Sequence, residues 1–196
     1  MFKGHAKKLV LSVGLLGAAA AAVTGSTLAV FTDSQSVGAN TFSTGTVDIS
    51  TAPATALLTY SNMAPGDTVT NSIVVTNAGS LNLRYAVSSI ATNTDLKGLK
   101  DQLVLTVKTI DVTTPATPCD NFDGTTLYTG DLDSTAGKLI GDSAQGSQAG
   151  DRTLNAGVNE TLCFKADLPL SSGDGFQSAT TTATLTFAAE QTKNNP

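Results

Sequence analysis

The chain has 196 residues, enough for one domain with a buried core, and its 16 acidic side chains outnumber 11 basic ones for a formal charge of −5. An acidic balance with no basic cluster excludes a surface built for phosphate backbones or anionic lipid, so nucleic acid is not an expected partner. One histidine, His5, and two cysteines, Cys119 and Cys163, leave little inventory for Ser-His-Asp, Cys-His or zinc chemistry.

Met1–Lys8 carries Lys3, Lys7 and Lys8, and an uncharged run follows from Leu9 to Thr32, strongly apolar only over Leu9–Leu16. Small residues then flank Thr27-Leu28-Ala29. A basic start, a short apolar middle and small residues at the cut are the layout of a secretory signal over residues 1–29, cleaved between Ala29 and Val30. The rival reading is a membrane anchor, since the uncharged run could cross roughly 30 Å of hydrocarbon. Gly17–Thr27, however, is mostly Ala, Gly, Ser and Thr, which are weakly driven into lipid. Cleavage would leave a secreted chain of 167 residues carrying about −8 and no histidine. That product, residues 30–196, is expected to be a single domain located in the extracellular matrix or at the cell surface.

The new N-terminus opens on a strand segment, residues 30–49, whose plain reading is an ordinary first strand of its own domain. Beyond it no stretch sustains helical periodicity; short alternating runs rich in Thr and Val recur between turn residues. Ala64-Pro65-Gly66-Asp67 is a Pro-Gly turn, and Asn77-Ala78-Gly79 separates a strand over Val69–Thr76 from another over Leu81–Ile90. Leu96, Leu99 and Leu103 stand at helical spacing and predict a short helix or turn near residues 95–102. Leu103, Leu105 and Val107 alternate with Val104, Thr106 and Lys108 in the next strand. Residues 115–157 are mostly Gly, Asp, Ser and Thr and predict long surface loops, with a weak strand over Thr125–Thr129. Two further alternating runs follow, Leu162–Leu168 and Ala183–Ala189, and the tail from Lys193 to Pro196 is expected to fray. Each run offers one face to a core and one to water. About eight such strands predict an all-β fold, a jelly-roll-type antiparallel β-sandwich.

In an exported chain the even pair Cys119 and Cys163 most simply forms a disulfide, the alternative being two buried free thiols. Cys163 falls on the polar face of its strand, opposite Leu162 and Phe164, so a bridge would staple a loop over the outside of a sheet. Asp131-Leu132-Asp133 opens like a calcium loop, but Ala136 stands where the sharp-turn glycine belongs and Asp142 where the glutamate belongs. Asp120-Asn121-Phe122-Asp123-Gly124 reads as an ordinary turn, and Asn159-Glu160-Thr161 as a chance glycosylation match. Nothing singles out one carboxylate pair for glycoside chemistry. No catalytic residue, metal site or cofactor is expected.

Several of these segments together resemble one family. Thr27-Leu28-Ala29, Val30-Phe31-Thr32-Asp33 and Asn40-Thr41-Phe42-Ser43-Thr44-Gly45-Thr46-Val47-Asp48-Ile49 look like the N-terminus of TasA/camelysin proteins. Met63-Ala64-Pro65-Gly66-Asp67, Asn77-Ala78-Gly79-Ser80-Leu81 and the ending Ala183–Gln191 are similar to its later blocks. The resemblance implies a leader cut by a signal peptidase of SipW type. It also implies a jelly-roll subunit of extracellular biofilm fibres, and a partner that is another copy of the same chain, with an accessory matrix protein as a further candidate. The first strand of one subunit would complete the sheet of its neighbour, which makes Val30, Phe31, Asp33, Val37 and Phe42 the candidate assembly residues. Phe31 and Val37 share one parity and would each contribute about 1.5–3 kcal/mol if buried. The same family includes proteins described as metallopeptidases, a label that the missing HExxH motif does not support here. A monomeric surface adhesin or accessory protein is the remaining alternative.

Overall fold

The computed structural model describes Gln35, Ala39, residues 41–134 and residues 136–195. It divides into two units, residues 1–43 and 44–196. The described residues of the first unit are exposed and have no regular secondary structure, Phe42 being 94 % exposed. The leader, the cleavage point and Val30, Phe31, Asp33 and Val37 lie outside the described residues.

The second unit is nearly all β. Its strands are β1 (Ile49–Ala52), β2 (Thr68–Asn77), β3 (Leu83–Ala91), β4 (Val104–Thr109), β5 (Thr126–Asp131), β6 (Lys138–Ile140), β7 (Arg152–Leu154), β8 (Asn159–Asp167) and β9 (Ala183–Gln191). A single helical turn, Leu99–Gln102, fills the expected position before β4. One sheet has the order β1-β2-β8-β4-β5. In the other, β3 pairs with β9 along its whole length from Leu83 to Ala91, and its opposite edge takes β7 at Leu83–Tyr85 and β6 at Val87–Ser88. Every pairing is antiparallel.

The alternating residues meet between the sheets. Ile73 and Val75 of β2, Leu105 and Val107 of β4, and Leu162 and Phe164 of β8 pack against Leu83, Tyr85 and Val87 of β3, with Leu139, Ile140 and Leu154 completing the layer. The turn after β2 is tied by Asn77, which is fully buried. Its amide donates to the carbonyls of Leu81 (2.8 Å) and Leu154 (3.1 Å), and its Oδ1 accepts from Gly79 N (3.0 Å).

Three expectations need correction. The first concerns strands with one wet face. On β3, Arg84 and Ala86 of the outer face are buried too, at 6 % and 5 % exposed. Residues 141–151 and the tail cover that outer face: Arg84 pairs with Glu190 (2.6 Å), Glu190 Oε1 accepts from Gly146 N (3.1 Å), and Arg84 also donates to the carbonyl of Asn195. Cys163 is likewise fully buried, although it lies on the outer parity of β8. Second, those same bonds hold the tail down through Asn195, whose amide reaches Gln191 O (3.2 Å), in place of the expected fraying. Third, residues 41–48 carry no strand, and pairing begins at Ile49.

One polar bridge crosses the core. Tyr85 of β3 donates to Glu160 Oε1 of β8 (2.6 Å), and the Arg152 guanidinium grips both oxygens of the same carboxylate. Burial, and then the bond to Glu160, push the Tyr85 hydroxyl well above the ordinary tyrosine range. A group whose folded pKa is raised stabilises fully below its unfolded value and loses that contribution as pH rises beyond it. Stability is therefore expected to fall as pH rises past about 10. Tyr85→Phe should flatten that alkaline limb and cost about 1.5–3 kcal/mol at neutral pH, as read by urea unfolding of both proteins across a pH series.

Candidate functional site

The candidate site is a strand edge. Three of the four sheet edges are blunted: β1 is four residues long, β6 and β7 are three each, and β5 loses register against β4 between Val107 and Lys108. β9 differs. It runs nine residues, holds regular register with β3 throughout, and among the described residues pairs with β3 alone. Its sequence, Ala183–Gln191, contains no Pro, Gly, Lys or Arg, the residues that usually protect an edge from further pairing.

The apolar side of β9 is unfinished as well. Ala183, Leu185, Phe187 and Ala189 face the core but remain partly exposed, whereas Leu83, Tyr85 and Val87 on neighbouring β3 are at most 1 % exposed. Phe187 lies against Tyr85 with ring centroids 6.3 Å apart, so burial fades over a single strand spacing. On the outer face the only charge of β9 is Glu190. The Arg84 guanidinium holds its carboxyl below the usual carboxylate range, with the Asn195 amide acting the same way. That carboxylate is occupied within the subunit and does not guard the edge.

The chain entering β1 is fixed tightly. Thr46 O accepts from Ser80 N and Leu81 N (both 3.1 Å), Asp48 O accepts from Ala78 N (2.9 Å), and Thr46 N donates to Ser80 Oγ (3.0 Å). Gly79 makes this approach feasible, because a Cβ there would stand 2.4 Å from Thr46 O. The turn Asn77–Leu81 thus clamps the stretch that links residues 41–43 to the sandwich.

Cys119 and Cys163 form the expected disulfide, with Cα atoms 5.3 Å apart. It closes residues 111–124 over the outer face of β8. There Phe122 lies beneath the ammonium groups of both Lys108 (4.9 Å) and Lys165 (5.1 Å), and Lys108 also donates to Phe122 O (2.8 Å). The bridge is a fastening for a cover and carries no chemistry of its own. Replacing both cysteines by serine should cost about 4 kcal/mol, from the entropy of a loop of roughly 44 residues. Denaturant unfolding measures that loss, and limited proteolysis should show new cuts between residues 111 and 124.

Sequence reading missed the cross-sheet Tyr85–Glu160–Arg152 bridge and the Arg84–Glu190 pair, because Tyr85 and Arg84 are far along the chain from their partners and Arg152 and Glu160 belong to no local motif. Among the described residues no three His, Cys, Asp or Glu side chains come together to hold a metal ion. The chain's only histidine is His5, outside the described residues.

A disulfide-fastened β-sandwich with one unblunted edge is the kind of protein these residues build. The chain belongs to the family described as camelysin metallo-endopeptidase, whose profile matches residues 5–195. It is also similar to the major biofilm matrix component of Bacillus subtilis (strain 168), at 37 % identity over 87 residues, 44 % of this chain and 33 % of that relative. The chain thus spans about a third of that relative's length. Among solved structures, the ASH/PapD-like domain of human CEP192 (PapD-like domain 7) aligns with 82 % of this chain and 95 % of its own, at 14 % identity and a TM-score of 0.30.

Proposed function

We propose that this protein is a secreted, non-enzymatic structural subunit of an extracellular matrix, and that copies join when the N-terminal segment of one adds to the β9 edge of the next. The observation that carries the reading is β9 itself, long, regular, unguarded and only partly covered on its apolar side. An added strand would receive several main-chain hydrogen bonds, at about 1 kcal/mol net each, and would close Leu185 and Phe187 from water. Kinship with a biofilm matrix component supports the matrix role and the extracellular location. Release of the segment by leader cleavage would keep subunits from joining before export.

Deleting residues 30–37 should leave a folded, soluble subunit that no longer forms filaments, and Phe31→Ala should weaken assembly in the same direction. Sizing and negative-stain microscopy of the cleaved protein at several concentrations read both. Filaments from the truncated chain would rule out joining through this segment, and a full-length cleaved chain that stays monomeric at every concentration would favour an adhesin or accessory protein.

The family's description favours a second reading, a cell-surface metallopeptidase. Chelator-sensitive cleavage of casein by the purified chain would establish it. The donor set of the described residues argues against that outcome, since it offers no histidine and no three-acid cluster.

A further inference from the structure

Asp111, two residues beyond β4, is the one acidic side chain of the described residues that is almost wholly buried, at 1 % exposed. Its Oδ2 accepts from Asn121 N (3.2 Å) and Thr114 Oγ1 (3.4 Å); its Oδ1 has no partner. Two other enclosed carboxylates are matched by cations, Glu160 by Arg152 and Glu190 by Arg84. Asp111 makes no ion pair among the described residues, and Lys108, the ammonium attached to the same cover, is engaged by Phe122 O and the Phe122 ring. A buried carboxylate needs a compensating charge or proton, and a buried oxygen needs a partner.

The surroundings are rich in hard oxygen donors. Thr113 and Thr114 follow Asp111, and Asn121 and Asp123 return beside it. Asp123 accepts from Val112 N (2.6 Å), Thr113 N (3.2 Å) and Thr113 Oγ1 (2.6 Å), while its own N–H goes to Asn121 Oδ1 (3.2 Å). Cys119 is held in the disulfide, so this cover offers no thiolate, and it has no histidine. Such a donor set suits calcium, which accepts irregular oxygen cages, better than magnesium or a transition metal.

We propose that the cover formed by residues 111–124 binds one calcium ion, with the unpartnered Asp111 Oδ1 as a ligand. With so few carboxylates the affinity should lie in the range of weak extracellular sites, on the order of 10⁻⁴–10⁻³ M. The ion would neutralise Asp111 and fasten the cover a second time, beside the disulfide. The proposal stands independently of strand addition at β9.

The test uses the full cleaved chain and calcium chloride, with magnesium chloride for comparison. Equilibrium dialysis with radioactive calcium should show saturable uptake of one ion per chain. The melting temperature should rise by several degrees at tenfold excess over the dissociation constant. Asp111→Asn should weaken uptake at least tenfold, while Asp142→Asn, on the separate loop after β6, should leave it unchanged. No saturable uptake by the unaltered chain would overturn the proposal, because a buried water alone would then satisfy Oδ1. Full uptake by Asp111→Asn would overturn it equally, by placing the ion elsewhere. Should Asp111→Asn fail to fold, a crystal structure of the unaltered chain grown in calcium decides: an ion within about 2.3–2.6 Å of Oδ1 supports the site, and an ion bound only at other carboxylates refutes it.

Discussion

The sandwich depends on two strands, β3 and β8, that are hydrogen-bonded on both edges and covered on the inner face and over part of the outer one. β8 lies between β2 and β4, and β3 between β9 and the tandem pair β6 and β7. Their inner faces supply Leu162 and Phe164 on one side and Leu83, Tyr85 and Val87 on the other, all at most 1 % exposed. Two-faced burial is unusual for an antiparallel sheet, which commonly leaves one side wet. It demands that loops do the work of a third and fourth layer. Residues 111–124 do so over β8, fastened by the disulfide; residues 141–151 and the tail do so over β3, fastened by Arg84 and Glu190.

That dependence separates what was legible in the sequence from what was not. Alternation reports only the inward face, so Leu83, Tyr85 and Val87, or Leu105 and Val107, announce their strands directly. The turns are equally plain, because Pro65-Gly66 and Asn77-Ala78-Gly79 use local chemistry. Arg84, Glu190, Arg152 and Glu160 look like ordinary surface charges in sequence, and only the return of distant segments pairs Arg84 with Glu190 and sets Tyr85 against the Arg152–Glu160 pair. Cys163 shows the same limit. Its parity on β8 was legible, but its full burial required knowing that residues 111–124 lie on top of it. The strands β6 and β7 are too short for any period to reveal, and β9, read correctly as a strand, bore no mark of being an edge.

The two covers also use charge differently. Over β3 the carboxylates are matched by Arg84 for Glu190, Lys138 for Asp142 and backbone N–H groups for Asp151. Such pairs contribute little net stability, because desolvation offsets attraction, yet breaking one leaves an uncompensated charge. Over β8, Lys108 is engaged by the Phe122 ring and carbonyl and Lys165 by the same ring and by Asp167 (3.4 Å), leaving Asp111 to other means. In a chain of charge −5, excess carboxylates have to be accommodated somewhere. Loops at the surface accommodate them easily, and a buried loop does not.

An edge like β9 has to be explained by what it lacks. Selection against unwanted sheet pairing is strong enough that long free strands normally carry a lysine, a proline, a bulge or a cover. Here the other three edges are shortened or irregular, so the chain has the means to blunt an edge and applies them elsewhere. The partial exposure of Leu185 and Phe187 points the same way. Both pack against the core yet remain partly exposed, and in the proposed assembly an added strand would cover them. Leaving them open costs the isolated subunit apolar burial worth about 25 cal/mol per Å². A sandwich that stays alone gains nothing in return. In the assembly proposed above, a strand supplied by another copy would recover that burial at the moment of joining, and the deficit in the single subunit would become part of the driving force.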